Sequence, residues 1–195
     1  MKVLGIQGSP CLKGNTSALL DATLKGASES GAEVERLDLV KLDISPCMAC
    51  HECDSGKSCR RHKDDMSVIY KRIREVDAIV LASPIYFMGV TAQTKAMIDR
   101  CQCFWVEKYV EKVRFYEGKR RPRGLFVSCA GSPKRVVFEP AIHVVKAFFA
   151  AIDYQYSGQV LLSHTDDEAL PVRKLSALQE AESAGKKLSE SDRLF

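Results

Sequence analysis

Near its start the chain reads Lys2-Val3-Leu4-Gly5-Ile6-Gln7-Gly8-Ser9-Pro10-Cys11-Leu12-Lys13-Gly14-Asn15-Thr16-Ser17, a strand-length apolar run that empties through a glycine- and serine-rich turn. From Asn15 the spacing becomes helical out to residue 30, with Leu19, Leu20 and Leu24 on one stripe. Asn15, Thr16 and Ser17 are residue types that cap helices, so the helix is expected to open on them. A buried strand, a tight turn and a helix in that order are the first half of a crossover unit.

The same alternation continues outward from this segment. Residues 34–39 alternate as a second strand, 78–83 form a near-continuous apolar third, and 124–129 and 154–162 supply two more. Helical spacing fills 64–74, 92–101, 138–152 and 171–188, the first of these starting on Asp64-Asp65 as a cap. Strands alternating with helices imply right-handed crossovers and a parallel sheet covered on both faces. The predicted fold is α/β, three-layered and doubly wound, with a five-stranded parallel sheet in the flavodoxin-like order 2-1-3-4-5. Such a sheet binds ligands at the carboxyl ends of strands one and three. The pattern breaks in a cysteine-rich loop at 45–63 and again in an aromatic, basic stretch at 104–123, expected to be irregular. Residues 1–195 read as one domain, without repeats or linkers.

A chain of 195 residues, 46% apolar and 28% charged, can bury a substantial core unaided. The net charge of +4, from 29 basic and 25 acidic residues, is too mild and too scattered for a nucleic-acid binder. Its densest basic clusters, Arg60-Arg61-His62-Lys63 and Lys119-Arg120-Arg121-Pro122-Arg123, read as solvated loops or as a docking patch for an acidic partner. Met1-Lys2 leads straight into the first strand, without a signal-peptide core. No apolar run approaches the roughly 18 residues of a membrane span. The expectation is a cytoplasmic protein with no membrane partner. In a reducing compartment, the clustered ones among its eight cysteines point to metal binding or redox work.

The turn after the first strand offers what a phosphate needs: unpaired amides and the positive end of a helix dipole. Ser9, Asn15, Thr16 and Ser17 add short side-chain donors. Asn15 stands where a nucleotide-triphosphate loop requires lysine, and no carboxylate is near to hold magnesium, so a metal-free monophosphate is expected. An ordinary tight turn with a capped helix is the competing reading. After the third strand, Pro84-Ile85-Tyr86-Phe87-Met88-Gly89 offers aromatic and aliphatic area with free amides, a platform for a flat redox-active ring or a subunit interface. Ser128, Ala130 and Gly131, in the turn after the fourth strand, are candidates for a third wall.

Cys47, Cys50 and Cys53 at two-residue gaps, followed by Cys59, let three thiolates face one point while a glycine-containing segment returns the fourth. That pattern suits a cubane cluster. Structural zinc, with His51 or His62 replacing one thiolate, and reduced regulatory thiols are the alternatives. Cys11, Cys101, Cys103 and Cys129 lack ligand spacing and read as packing or pocket-lining thiols, and His143 as a core or interface residue.

Taken together, Gly8-Ser9-Pro10 with Gly14-Asn15-Thr16, the cysteine run, Asp64-Asp65-Met66, Ser83-Pro84-Ile85-Tyr86-Phe87 and Thr94-Lys95-Ala96-Met97-Ile98-Asp99-Arg100 resemble the iron–sulfur flavoproteins. These sit within the flavodoxin-like NAD(P)H-dependent FMN reductases, and the resemblance covers residues 2–101. It implies that Ser9, Asn15, Thr16 and Ser17 hold the phosphate of FMN and that Pro84 to Gly89 line its ring system. It further implies a [4Fe-4S] cluster on Cys47, Cys50, Cys53 and Cys59. Members often carry a basic residue where this chain has Cys11, which leaves Lys13 to supply the countercharge. The implied activity is oxidoreductase electron transfer, with a ferredoxin-like donor or NAD(P)H and a small-molecule or protein acceptor. The implied assembly is a homodimer or homotetramer. A cluster-free NAD(P)H-dependent FMN or quinone reductase and a non-enzymatic redox or metal sensor are the rival functions.

Overall fold

The computed structural model describes residues 1–55, 59, 63–113, 115–116, 120–166 and 170–190. The strands are β1 (Lys2–Gln7), β2 (Glu33–Asp38), β3 (Ala78–Ala82), β4 (Arg123–Cys129) and β5 (Gln155–Leu162). They form one sheet in the order β2-β1-β3-β4-β5, and every pairing is parallel. The helices are α1 (Asn15–Glu29), α2 (Met66–Glu75), α3 (Ala92–Arg100), α4 (Gln102–Trp105), α5 (Glu139–Ala151) and α6 (Leu170–Glu190). Both the fold class and the strand order are those expected from the sequence.

Burial explains why β3 is apolar throughout. Ala78, Val80 and Ala82 face a core built with Leu20 and Leu24 of α1 and Ala181 of α6. Ile79 and Leu81 face the opposite core, with Ile69 and Ile73 of α2 and Phe148 and Phe149 of α5. A central parallel strand has no solvent face on which to place a polar residue. On the first face α1 and α6 meet backbone to backbone. A Cβ on Gly26 would collide with the Glu182 carbonyl, and one on Gly185 with the Thr23 carbonyl. Lys25 adds an ion pair to Glu182 at 2.8 Å.

Two local expectations are corrected, and of the two readings of His143 only the core one is overturned. The N-cap of α1 is Gly14, which gives no side-chain bond, so Asn15, Thr16 and Ser17 form the first turn instead of capping it. Residues 104–110, expected to be irregular, are helical: α4 runs on into a π-helical turn at Val106–Val110. Long-range contacts hold this segment, since Phe104 packs edge-on against Tyr70 and Glu107 accepts two bonds from Arg74, each 2.7 Å. His143 is exposed on α5, with its Nδ1 2.7 Å from the carbonyl oxygen of Glu139. The basic residues Arg60, Arg61, His62 and Lys119 lie outside the described residues.

Candidate functional site

The carboxyl ends of β1, β3 and β4 are stitched together beyond the regular ladder. The amide of Gly8 donates to the Ala82 carbonyl (2.7 Å), that of Ser83 to Val127 (3.0 Å) and that of Ile85 to Cys129 (2.9 Å). The three segments singled out in the sequence therefore share one edge of the sheet. Thr91 caps α3, and its hydroxyl donates to the Gly8 carbonyl at 2.6 Å. This draws α3 so close to the first turn that a Cβ on Gly8 would strike the Thr94 hydroxyl. Gly8→Ala is expected to cost about 1–3 kcal/mol through overpacking. That loss is read as a lower urea midpoint of the purified protein.

In the turn itself Ser9, Thr16 and Ser17 are buried, while Cys11 and Lys13 are exposed. The Ser9 hydroxyl accepts from the Cys11 amide at 3.1 Å, which curls the backbone around the start of α1. Because Gly14 provides no cap, the amides of Asn15, Thr16 and Ser17 are left facing this turn without a side-chain acceptor. Uncapped amides, buried hydroxyls and a nearby Lys13 form a donor set that fits a phosphate. Thr16 Oγ1 also lies 2.9 Å from the Cys129 sulfur, joining the turn to the end of β4. Burial pushes the Cys129 thiol up, away from thiolate chemistry.

The platform is a miniature hairpin. Tyr86 and Gly89 exchange two backbone bonds of 2.9 Å, and Phe87 and Met88 between them sit at φ +49° and +64°. Two successive left-handed residues are the geometry that glycine and asparagine usually supply. Large apolar residues held there store backbone strain of the kind that clusters at functional sites. Gly89 itself does not take a positive φ; the left-handed conformations fall on Phe87 and Met88. Pro84 is buried, Ile85 is half-buried, Tyr86 and Met88 are exposed, and the Phe87 side chain stands fully in solvent at 106%. Of the third wall, Ala130 is buried and Gly131 is half-buried against the Asp166 carboxylate. Ser128 is fully buried, and its hydroxyl is spent on the Ser83 carbonyl at 2.7 Å.

At the other end of α3 lies a cavity of about 460 Å3 whose walls include Cys47, Cys50, Cys53, Cys59, His51 and Arg100. All four thiols are free, with Cys47 and Cys50 exposed and Cys53 and Cys59 half-buried. Among the described residues no three His, Cys, Asp or Glu side chains are gathered at metal-ligating distance. The donor set nonetheless fits a thiolate-bound cluster, because four soft sulfur ligands line one cavity. His51 is turned to the Asp54 carboxylate at 3.0 Å. Cys101 and Cys103 are buried outside this cavity, and burial pushes the Cys103 thiol up to about 11.

The neck of this loop is a feature that sequence reasoning missed. Asp64 accepts from the Ser45 amide (3.1 Å) and Asp65 from the Asp43 amide (2.8 Å), so the loop's two ends are pinned together. Arg100 locks the pin, its guanidinium forking to Asp64 at 2.6 and 3.2 Å. Burial by itself would raise the Asp64 carboxyl. Arg100 and the Ser45 and Met66 amides outweigh it and hold that carboxyl below the usual carboxylate range.

A family model described as NADPH-dependent FMN reductase matches residues 1–163. An iron–sulfur flavoprotein of Methanocaldococcus jannaschii is 42% identical over 100 residues, covering 51% of this chain and 51% of its own length. An iron–sulfur flavoprotein of Archaeoglobus fulgidus is 44% identical over 100 residues, covering 51% of this chain and 45% of its own length. The chain thus spans about half the length of these curated relatives. The FMN-dependent NADH-azoreductase of Bacillus anthracis, solved with FMN, superimposes with a TM-score of 0.73 at 16% identity, over 97% of this chain and 100% of that one. At that identity the superposition establishes the shared fold. From the match over residues 1–163, the chain belongs to the NADPH-dependent FMN reductase family.

Proposed function

We propose that this chain is a flavin-dependent oxidoreductase that holds FMN at the edge formed by β1, β3 and β4. We further propose that it carries a [4Fe-4S] cluster on Cys47, Cys50, Cys53 and Cys59. The carrying observation is the single cavity lined by these four free cysteines, at the opposite end of α3 from the phosphate turn. FMN would supply one- or two-electron chemistry and the cluster single-electron transfer.

The chain's own residues divide the remaining work. Ser9, Thr16, Ser17 and the first-turn amides of α1 bind the phosphate, with Lys13 as countercharge. Ile85 to Gly89 orient the ring, and the fully exposed Phe87 gives it, or a neighbouring subunit of a homodimer or homotetramer, an aromatic face. A ferredoxin-like protein is the proposed donor, docking beside the cysteine loop, and the acceptor is a small oxidant or a second protein. The proposed setting is the cytoplasm, with the chain acting as one domain.

A cluster-free NAD(P)H-dependent FMN reductase is the second reading, favoured by the family match itself. The visible spectrum of anaerobically purified protein, before and after dithionite, separates the two. Flavin bands over a broad shoulder that bleaches on reduction are the expected result. Clean flavin bands alone select the second reading, and a colourless protein overturns both.

A further inference from the structure

Arg100 ends α3 with its side chain 1% exposed, paired with an Asp64 side chain that is 3% exposed. Its donors are distributed among three different partners. Nη1 and Nη2 fork to Asp64, Nη1 also reaches the Ser45 carbonyl at 2.8 Å, and Nε points to the Cys59 sulfur at 3.2 Å. A guanidinium can do this because its N–H groups leave a plane in fixed directions, whereas a lysine ammonium offers one compact charge. One side of the fork is used up by the neck of the loop. Of the two N–H groups left over, the one on Nε is aimed at one cysteine sulfur and held there by a buried ion pair.

We propose that Arg100 is a positioning residue for the cluster: its Nε–H fixes the Cys59 thiolate at the loop neck and makes reduction of the cluster easier. The inference rests on the reading of the cysteine loop as a cluster site. Hydrogen bonds to ligand sulfur, together with a fixed positive charge, draw electron density from the thiolate and favour the state carrying the extra electron. Because the Arg100 and Asp64 side chains are 1% and 3% exposed, salt screens that anchoring pair little. Arg100 itself exchanges neither electron nor proton.

The test is an EPR-monitored redox titration of the holoprotein alongside its iron and sulfide content. Arg100→Lys keeps the charge opposite Asp64 and withdraws the sulfur contact. Its cluster should be harder to reduce by about tenfold in the one-electron equilibrium, a fall of about 59 mV. Loss of iron from a folded, FMN-replete Arg100→Lys protein also supports the assignment. If that variant does not fold, Asp64→Asn combined with Arg100→Gln leaves no lone buried charge and must show the same fall. A folded variant that keeps both its iron and the wild-type potential overturns the role of Arg100. A wild-type chain that binds no iron overturns this inference together with the reading beneath it.

Discussion

Cys50→Ser is expected to strip the chain of iron and acid-labile sulfide while FMN stays bound. The reasoning begins with where Cys50 sits: exposed, on a loop outside the sheet, in the wall of the cysteine cavity. A serine hydroxyl remains protonated where a cluster needs a thiolate, so one ligand of four is lost. Nothing in the neck of the loop depends on Cys50, since Asp64, Asp65 and Arg100 hold it independently. The turn proposed to hold the FMN phosphate is also remote. The nine residues of α3 separate the phosphate turn from Arg100 by about 14 Å of helix. Iron should fall more than tenfold, with the flavin bands unchanged. Loss of both cofactors would show that the two sites are not separable, and retained iron would remove Cys50 from the ligand set.

The second large effect concerns stability. Asp64→Asn leaves the Arg100 guanidinium buried without its carboxylate and weakens the bond that pins Ser45. Breaking a buried pair from one side costs about 3–5 kcal/mol, because the stranded charge keeps its desolvation penalty. The variant should show a correspondingly lower urea midpoint with an unchanged slope. The wild-type protein carries the same dependence on the acid side. Asp64 titrates below the roughly pH 3.9 of an unfolded aspartate. Its contribution is therefore present above that value and disappears as pH falls through its lower, folded pKa. In Asp64→Asn this part of the acid limb should flatten. An acid limb identical to the wild type would show that the pair contributes nothing measurable.

How much of this was legible in the sequence depended on whether its cause was local. The sheet was, because β3 is buried on both faces and reads Ala-Ile-Val-Leu-Ala without a polar interruption. The turn at Gly8 and the cysteine spacing were legible for the same reason, since both are patterns of neighbours. Arg100 was not, because its partner Asp64 lies 36 residues away and looked locally like a helix start. Residues 104–110 were hidden by the π-helical turn, which shifts the 3.6-residue rhythm on which helix reading depends. The left-handed pair Phe87-Met88 left no trace either, as neither residue type favours positive φ.

The glycine-to-backbone contact of α1 with α6 has a kinetic side. Lys25 and Glu182, which pair across it, are 157 residues apart, so this closure is among the most sequence-distant in the molecule. Non-local closures are slow, because chain entropy is given up before any contact rewards it. Until α6 docks, the core that Leu20 and Leu24 of α1 share with Ala177 and Ala181 of α6 is incomplete, and the helix that presents its first-turn amides is held from the sheet side alone. Maturation of the phosphate turn is therefore tied to a segment far downstream. A ligand meeting the nascent chain finds its binding turn synthesised early and made rigid late.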